Sequence, residues 1–336
     1  MTAIAFQRKL ESAVGKSPVR KRKTTVALIV PVFNEAGAIA PFLRAAGAVI
    51  DPLESEDLSF GFIFVNDGST DATLETLIAA QETDRRIRII DLSRNFGKEA
   101  ALTAGLDACD ADAAIPIDVD LQDPPEVIPQ MLDRWRNGAE VVVAKRADRS
   151  TDTLVKSKTA SMFYRVHNAL SKTQIPENVG DFRLMDRAVL DILKGMPERR
   201  RFMKGLFAWV GFDTAVVEYK RAPRSDGRSS FTPWKLWNLA LEGITSFSNL
   251  PLEIWGYVGS VISALAFLYG GFLTGRALFF GVDVPGYTSL MVSILFLGGV
   301  QLIGIGVLGQ YLGRVYEEVK QRPVYIVRKD YRPAGE

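Results

Sequence analysis

The chain holds one cysteine, Cys109, and one histidine, His167. A single thiol excludes an intramolecular disulfide and a cysteine metal cluster, and its default place is a buried helix face. A single histidine excludes a three-histidine metal site and argues against imidazole base catalysis. Neither a Gly-x-Gly-x-x-Gly run nor a Gly-x-x-x-x-Gly-Lys-Ser/Thr run follows a strand pattern, which counts against dinucleotide oxidoreductases and P-loop enzymes. With 41 Lys and Arg against 39 Asp and Glu, the net charge of +2 gives no nucleic-acid footprint. The first 23 residues lack the apolar core of a signal peptide. They carry Arg8, Lys9, Lys16, Arg20, Lys21, Arg22 and Lys23 against Glu11 alone. Residues 1–23 therefore read as a basic mobile tail, either touching anionic lipid or simply solvated.

Charge is also missing from two long C-terminal runs. Ile254 to Gly275 has 22 uncharged residues and Tyr287 to Gly313 has 27. At about 1.5 Å per helical residue, each can cross a hydrocarbon core of about 30 Å. The short connection, Arg276 to Gly286, has one Arg and one Asp. Basic residues lie on the outer flanks: Arg221, Arg224, Arg228 and Lys235 on one side, Arg314, Lys320, Arg322, Arg328 and Lys329 on the other. The positive-inside rule predicts an integral membrane protein of the inner (cytoplasmic) membrane, with both termini in the cytoplasm. Trp234, Trp237, Leu241, Ile244 and Phe247 recur at helical spacing between Pro233 and Asn249, which predicts an interfacial amphipathic helix or a surface helix. The expected division is a tail over 1–23, a cytoplasmic catalytic domain over 24–230, an interfacial helix over 231–250, a transmembrane hairpin over 251–313 and a cytoplasmic tail over 314–336. Gly271-x-x-x-Gly275 and Gly309-x-x-x-Gly313 offer small faces for a homo-oligomer or for packing within the hairpin.

The first half alternates strand and helix. Thr25–Val32, Phe60–Asn66, Ile87–Leu92, Ala114–Asp118 and Glu140–Ala144 are short apolar runs, rich in Val and Ile. Helical patterns fill the gaps over Ala36–Leu53, Ala72–Glu82, Lys98–Cys109 and Glu126–Asn137. Such alternation predicts an α/β fold with a doubly wound, mostly parallel sheet. Ligands in these sheets bind beyond the carboxyl ends of the strands. Asn34-Glu35, Asp67-Gly68-Ser69, Ser93-Arg94-Asn95, and Asp118 with Asp120 all fall there. Asp118 and Asp120, with Gln122 after them, can offer oxygen ligands to a hard divalent ion that is completed by phosphate and water. Asp67 can meet the donor edge of a uracil or a guanine, or cap the next helix.

Five segments occur in order: Val30-Pro31-Val32-Phe33-Asn34-Glu35, Val65-Asn66-Asp67-Gly68-Ser69-Thr70-Asp71, Ser93-Arg94-Asn95-Phe96-Gly97-Lys98, Asp118-Val119-Asp120-Leu121-Gln122-Asp123-Pro124-Pro125 and Gly180-Asp181-Phe182-Arg183-Leu184-Met185. Over roughly residues 24 to 325 the chain resembles the family 2 glycosyltransferases of the polyprenyl-phosphate type. These include dolichol-phosphate mannose synthase and, closer in having a C-terminal two-span hairpin, the bacterial bactoprenol glucosyltransferases. The resemblance implies a nucleotide-diphospho-sugar transferase (GT-A-like) fold and a metal-dependent enzyme. Pro31, Phe33, Glu35, Asp67, Lys98 and Asp118 would serve the nucleotide. Asp120 and Gln122 would hold Mg²⁺ or Mn²⁺, and Asp181 would be the catalytic base. Arg146 and Arg224 would meet donor or acceptor phosphates.

The implied reaction is inverting transfer of a hexose, glucose from UDP-glucose foremost, to a polyprenyl phosphate such as undecaprenyl phosphate on the cytoplasmic face. GDP-mannose, UDP-galactose or UDP-N-acetylhexosamine donors, or a catalytically silent scaffold, are the alternatives. The implied partners are a nucleotide sugar, a polyprenyl phosphate and the membrane, then a downstream flippase and a periplasmic or lumenal glycosyltransferase that builds a cell-envelope glycan. Two details depart from the family. Gly227-Arg228-Ser229-Ser230 lacks the lysine usual before the interfacial helix. Gln130 to Trp135 is one residue longer than the Gln-x-x-Arg-Trp of polysaccharide synthases, and reads as a helix with Met131 and Trp135 inward.

Overall fold

The computed structural model describes residues 23–146, 179–199, 201, 203–219, 250–280 and 286–333. The basic tail, the interfacial helix, His167, Arg224 and Gly227 to Ser230 lie outside the described residues. The described chain falls into two compact units: one holds the sheet with its helices, the other two long helices.

The sheet has eight strands in the order β7-β5-β6-β4-β1-β2-β3-β8. These are β1 (Thr24–Val32), β2 (Leu58–Asn66), β3 (Ile87–Leu92), β4 (Ala113–Pro116), β5 (Val141–Arg146), β6 (Val179–Asp186), β7 (Thr214–Tyr219) and β8 (Val327–Tyr331). β1 pairs in parallel with β2 and β4, β2 with β3, and β5 with β7. β6 runs antiparallel to both β4 and β5, and β8 antiparallel to β3. Six strands thus share one direction and two oppose it, the mixed, mostly parallel sheet of a GT-A-like fold.

The helices are α1 (Ala36–Ile50), α2 (Thr73–Thr83), α3 (Lys98–Asp107), α4 (Ile128–Arg136), α5 (Arg187–Gly195), α6 (Met203–Trp209), α7 (Leu250–Phe280) and α8 (Tyr287–Lys320). Strands β1 to β4 are buried nearly throughout, as strands covered by helices on both faces must be. Ile39, Phe42, Ala46 and Ile50 place one face of α1 in the core, where Phe42 meets Phe62 and Phe64 edge-on. Burying side chains of this size contributes about 1.5–3 kcal/mol each. The window Ala36–Leu53 is apolar enough to pass for a membrane span, but this burial makes α1 a core helix. Met131 is buried in α4, and Trp135 packs on the core while its Nε1 donates to Asp186 Oδ2 at 2.8 Å.

Helices α7 and α8 contain both uncharged runs. Phe296–Lys320 of α8 is long and apolar enough to cross a membrane, and none of its window is buried. Within this pair the close approach is at Gly304, where any Cβ would overlap the Trp255 indole. The expected C-terminal tail, 314–336, differs from what the structure shows. The chain stays helical to Lys320, and Val327–Tyr331 forms edge strand β8.

Candidate active site

The loops after β1, β2 and β3 are knitted together by backbone amides and short polar side chains. Asn34, held at φ 54, donates its N–H to Ser69 Oγ at 3.0 Å and accepts from Thr70 N at 2.8 Å. Glu35 N donates to Thr73 Oγ1 at 2.9 Å, and Asp71 Oδ1 accepts from that hydroxyl and from Thr73 N. Asp67 is 3% exposed; its Oδ1 accepts from Phe96 N at 2.7 Å and its Oδ2 from Gly97 N at 2.9 Å. Burial lifts its pKa above the ordinary value, against these two bonds. Asp67 therefore orders the β3–α3 loop and caps no helix. Gly68, at φ +66, packs so close to the Arg94 and Asn95 backbone that a Cβ there would overlap both residues. Arg94 lies over the Phe96 ring, 4.0 Å from its centroid.

Pro31 and the 43%-exposed Phe33 sit at the end of β1. The Glu35 carboxylate accepts from Phe33 N at 3.4 Å. Burial, aided by the charges of Asp118 and Asp120, raises its pKa to about 7 despite that bond and Lys98. Asp118 and Asp120 are thus each close enough to repel the Glu35 carboxylate.

Across the strand ends lies the second half of the site. The antiparallel register sets Ala113 against Asp186 and Ala114 against Met185. Continued by the same count, it brings Asp181 opposite Asp118. Lys98, at the start of α3, fills the gap: its Nζ is 2.6 Å from Asp118 Oδ1 and 3.1 Å from Asp181 Oδ2. Burial disfavours that ammonium, but the two carboxylates outweigh it and hold its pKa above the ordinary value. Asp118 is pushed up by burial in spite of Lys98. For Asp181 burial again raises, but Lys98 and then Lys204 win and hold the carboxylate below its usual range. Among the described residues, Asp181 Oδ1 is buried without a hydrogen-bond partner. The cleft beside these groups is lined by Pro31, Leu102, Pro116, Asp123 and Phe182 as well.

Among the described residues no group of three or more His, Cys, Asp and Glu forms a metal cage. Asp120 Oδ1 accepts from Gln122 N at 3.0 Å, so both side chains spring from one tight turn. The donors there are hard oxygens, and the Asp120 charge lies close enough to Glu35 to repel it. That set fits a magnesium-class ion taking one or two protein ligands and completing its shell with phosphate oxygens and water.

Several groups escaped the sequence reading. Glu99 accepts from Met203 N at 3.3 Å, and burial together with the Asp181 charge raises its pKa to about 7. Arg183 is 5% exposed, lies 4.0 Å over the Phe207 ring, and burial lowers its pKa to about 10. Asp123 accepts from the Tyr219 hydroxyl and lies 3.9 Å from Arg146, which places Arg146 at the rim of the cleft. Asp123 and Arg183 stood inside the five family segments without a role, and nothing in the sequence signalled Glu99 or Tyr219. Asp186 caps α5 by accepting from Ala188 N at 3.0 Å.

The sequence profile of Glycosyl transferase family 2 matches residues 27–193. The SfII prophage-derived bactoprenol glucosyl transferase of Shigella flexneri is 55% identical over 309 residues, covering 91% of this chain and 98% of that one. The prophage bactoprenol glucosyl transferase homolog of Escherichia coli K12 is 54% identical, covering 90% and 98%. An uncharacterized glycosyltransferase of Synechocystis is 52% identical, covering 90% and 94%. Among solved structures, glucosyl-3-phosphoglycerate synthase from Mycobacterium tuberculosis is 19% identical with a TM-score of 0.44, covering 71% of this chain and 81% of that one. The chain belongs to the family 2 glycosyltransferases, related to the bacterial bactoprenol glucosyl transferases, and is an enzyme that transfers a hexose from a nucleotide sugar with inversion.

Proposed function

We propose that the enzyme transfers glucose from UDP-glucose to the phosphate of a membrane polyprenol. The observation that carries this reading is the carboxylate pair Asp118 and Asp181, bridged by Lys98 at the strand ends, with one buried Asp181 oxygen unpartnered among the described residues. The choice of glucose and of a polyprenyl acceptor is supported by relatives named bactoprenol glucosyl transferase that match over nearly their whole length.

In this mechanism an acceptor phosphate oxygen attacks the anomeric carbon from the face opposite the leaving diphosphate. The bond to the β-phosphate oxygen breaks, UDP leaves, and the anomeric configuration inverts. Pro31, Phe33, Glu35 and Asp118 bound the nucleotide, with Asp67 acting through the loop it orders. Asp120 and Gln122 would hold Mg²⁺ or Mn²⁺, and such an ion, when bound, neutralises charge on the leaving diphosphate. Asp181, held below the usual carboxylate range, is a weak base. An acceptor phosphate is already anionic at neutral pH and asks for little proton removal, so Asp181 orients it and takes any residual proton. Arg146 and Arg224 offset the repulsion between acceptor and donor phosphates.

Helices α7 and α8 cross the inner membrane as a hairpin with both termini in the cytoplasm, and the catalytic domain works at headgroup level. Residues 24–230 are assigned to that domain; the interfacial segment proposed over 231–250 falls almost wholly outside the described residues. Gly271, Gly275, Gly309 and Gly313 have nothing within 4 Å of an added Cβ, which leaves room for helices of a second copy. The product is suited to a flippase and a periplasmic transferase. The test is a screen of nucleotide sugars with undecaprenyl phosphate and Mg²⁺ or Mn²⁺ in detergent. The expected products are UDP and a glycosyl monophosphate lipid by mass; UMP with a lipid diphosphate overturns the reading.

A further inference from the structure

We propose that Arg328, on the C-terminal strand β8, is a positioning residue for the donor pocket: it fixes the β3–α3 loop from which Asp67 and Lys98 take their places. This rests on the reading of the β1–β3 strand ends as the nucleotide-sugar site. The Arg328 guanidinium donates to Ser93 O at 2.6 Å and lies 3.6 Å from Asp91 Oδ2. Asp91 is 1% exposed, and its other oxygen accepts from Asn66 Nδ2 at 2.8 Å. Asn66 Oδ1 accepts from Ser69 N at 3.2 Å, and Ser69 Oγ accepts from Asn34 N at 3.0 Å. A continuous polar path therefore runs from β8 through the ends of β3 and β2 to the loop after β1.

The five-residue loop Ser93 to Gly97 is fastened at both ends. Arg328 secures its first carbonyl, and the last two amides, Phe96 and Gly97, hold both oxygens of Asp67. Lys98 follows at once, and its ammonium bridges Asp118 and Asp181. Releasing the first fastening lets the whole run shift, and small displacements of positioning groups weaken substrate binding steeply.

β8 does not depend on Arg328 to stay in the sheet. It pairs with β3 from Leu92–Val327 to Ile89–Tyr331, and Ser93 N donates to Ile326 O at 2.9 Å. Arg88 binds Asp330 through two hydrogen bonds of 3.0 and 2.7 Å, and Gln81 Nε2 donates to Tyr331 O at 3.0 Å. The Tyr325 hydroxyl donates to Asp107 at 2.9 Å. The Arg328 side chain is 58% exposed, so its loss opens no core cavity. Its three charged neighbours on the sheet edge, Lys329, Asp330 and Arg332, make no contact that reaches the loop: Lys329 lies over Tyr331, and Arg332 pairs with Asp330.

The experiment compares wild type, Arg328→Ala, Arg328→Lys and Asp330→Asn as full-length protein in detergent. UDP affinity is measured by calorimetry, alongside donor KM, kcat and Tm. Arg328→Ala is expected to raise the UDP Kd and donor KM about tenfold, with kcat at saturating donor within about twofold of wild type and Tm nearly unchanged. Arg328→Lys recovers part of the affinity, since an ammonium still faces Asp91 but lacks the planar fork. Asp330→Asn lowers Tm and leaves the UDP Kd alone. An Arg328→Ala protein with wild-type UDP affinity, or one whose only change is the Tm loss of Asp330→Asn, overturns the proposal. Wild type that binds no UDP at all overturns the donor-site reading and this proposal with it.

Discussion

The two halves of the strand-end cleft satisfy their polar groups in different ways. On the side of β1 to β3, Asn34, Asp67 and Asp71 accept from backbone amides and short hydroxyls. Those donors are fixed by the fold, and a buried carboxylate on two amides costs several kcal/mol to disturb. On the side of β4 to β6, Asp118 and Asp181 face a lysine ammonium at the end of a flexible stem, and one Asp181 oxygen has no partner among the described residues. Such an ion pair can exchange partners when charged ligands arrive, the carboxylates turning to a cation and the ammonium to a phosphate. On the proposed function, the first half serves binding and the second serves chemistry. Substitutions should therefore separate by half, losing turnover on one side and stability or donor affinity on the other.

The largest effect is expected at Asp120→Ala. A leaving diphosphate without charge compensation should cut kcat by roughly several hundred-fold, while Tm stays close to wild type. Retained activity of this variant in chelator would remove the metal from Asp120. On the prebuilt side, Gly68→Ala combines a positive φ with overlap on the Arg94 and Asn95 backbone. It should cost about 2–4 kcal/mol of stability and raise donor KM, with kcat preserved in the folded fraction. An unchanged unfolding curve would show that the two loops do not need their close approach.

A smaller effect sharpens the boundary between the halves. Glu99 titrates near 7 in the folded protein against an ordinary 4.5, because burial and Asp181 disfavour its charge. Between these values the unfolded chain has lost the proton and the folded chain keeps it. Stability contributed by this group is therefore complete below 4.5, falls as pH rises, and is gone above about 7. Glu99→Gln should make the decline of Tm between pH 4.5 and 7 shallower than in wild type, with the remaining slope shared by the other carboxylates that burial raises, Glu35, Asp67 and Asp118. An identical slope would place Glu99 in solvent.

Strands β1 to β5 and helices α1 to α4 were legible because they are the layers of a doubly covered sheet. Their apolar runs are nearly continuous, and turn residues bound them. β6, β7 and β8 were not. β6 mixes Asp181 and Arg183 with buried Phe182 and Leu184, β7 is a half-exposed edge, and Val327–Tyr331 carries three charges on the other edge. Edge strands bury little, so their sequences carry little periodicity. The site residues Asp118, Asp120 and Asp67 followed from their places after apolar strands. Asp181 came only by family resemblance, since its position opposite Asp118 depends on an antiparallel register between segments about 65 residues apart, which no local pattern encodes. Arg328 lay hidden for the same reason: it was one of several basic residues flanking an apolar run.

Asp181→Asn tests the division between binding and chemistry most directly, because Asn keeps the size and one acceptor oxygen and removes only the charge. UDP affinity by calorimetry, Tm, and single-turnover formation of the glycosyl lipid should be measured on the same preparation. The expected result is UDP affinity within about twofold of wild type, a Tm change worth less than about 1 kcal/mol, and transfer slowed about a hundredfold or more. Transfer within a few-fold of wild type at saturating lipid, or a loss of UDP binding as large as the loss of turnover, would contradict the account.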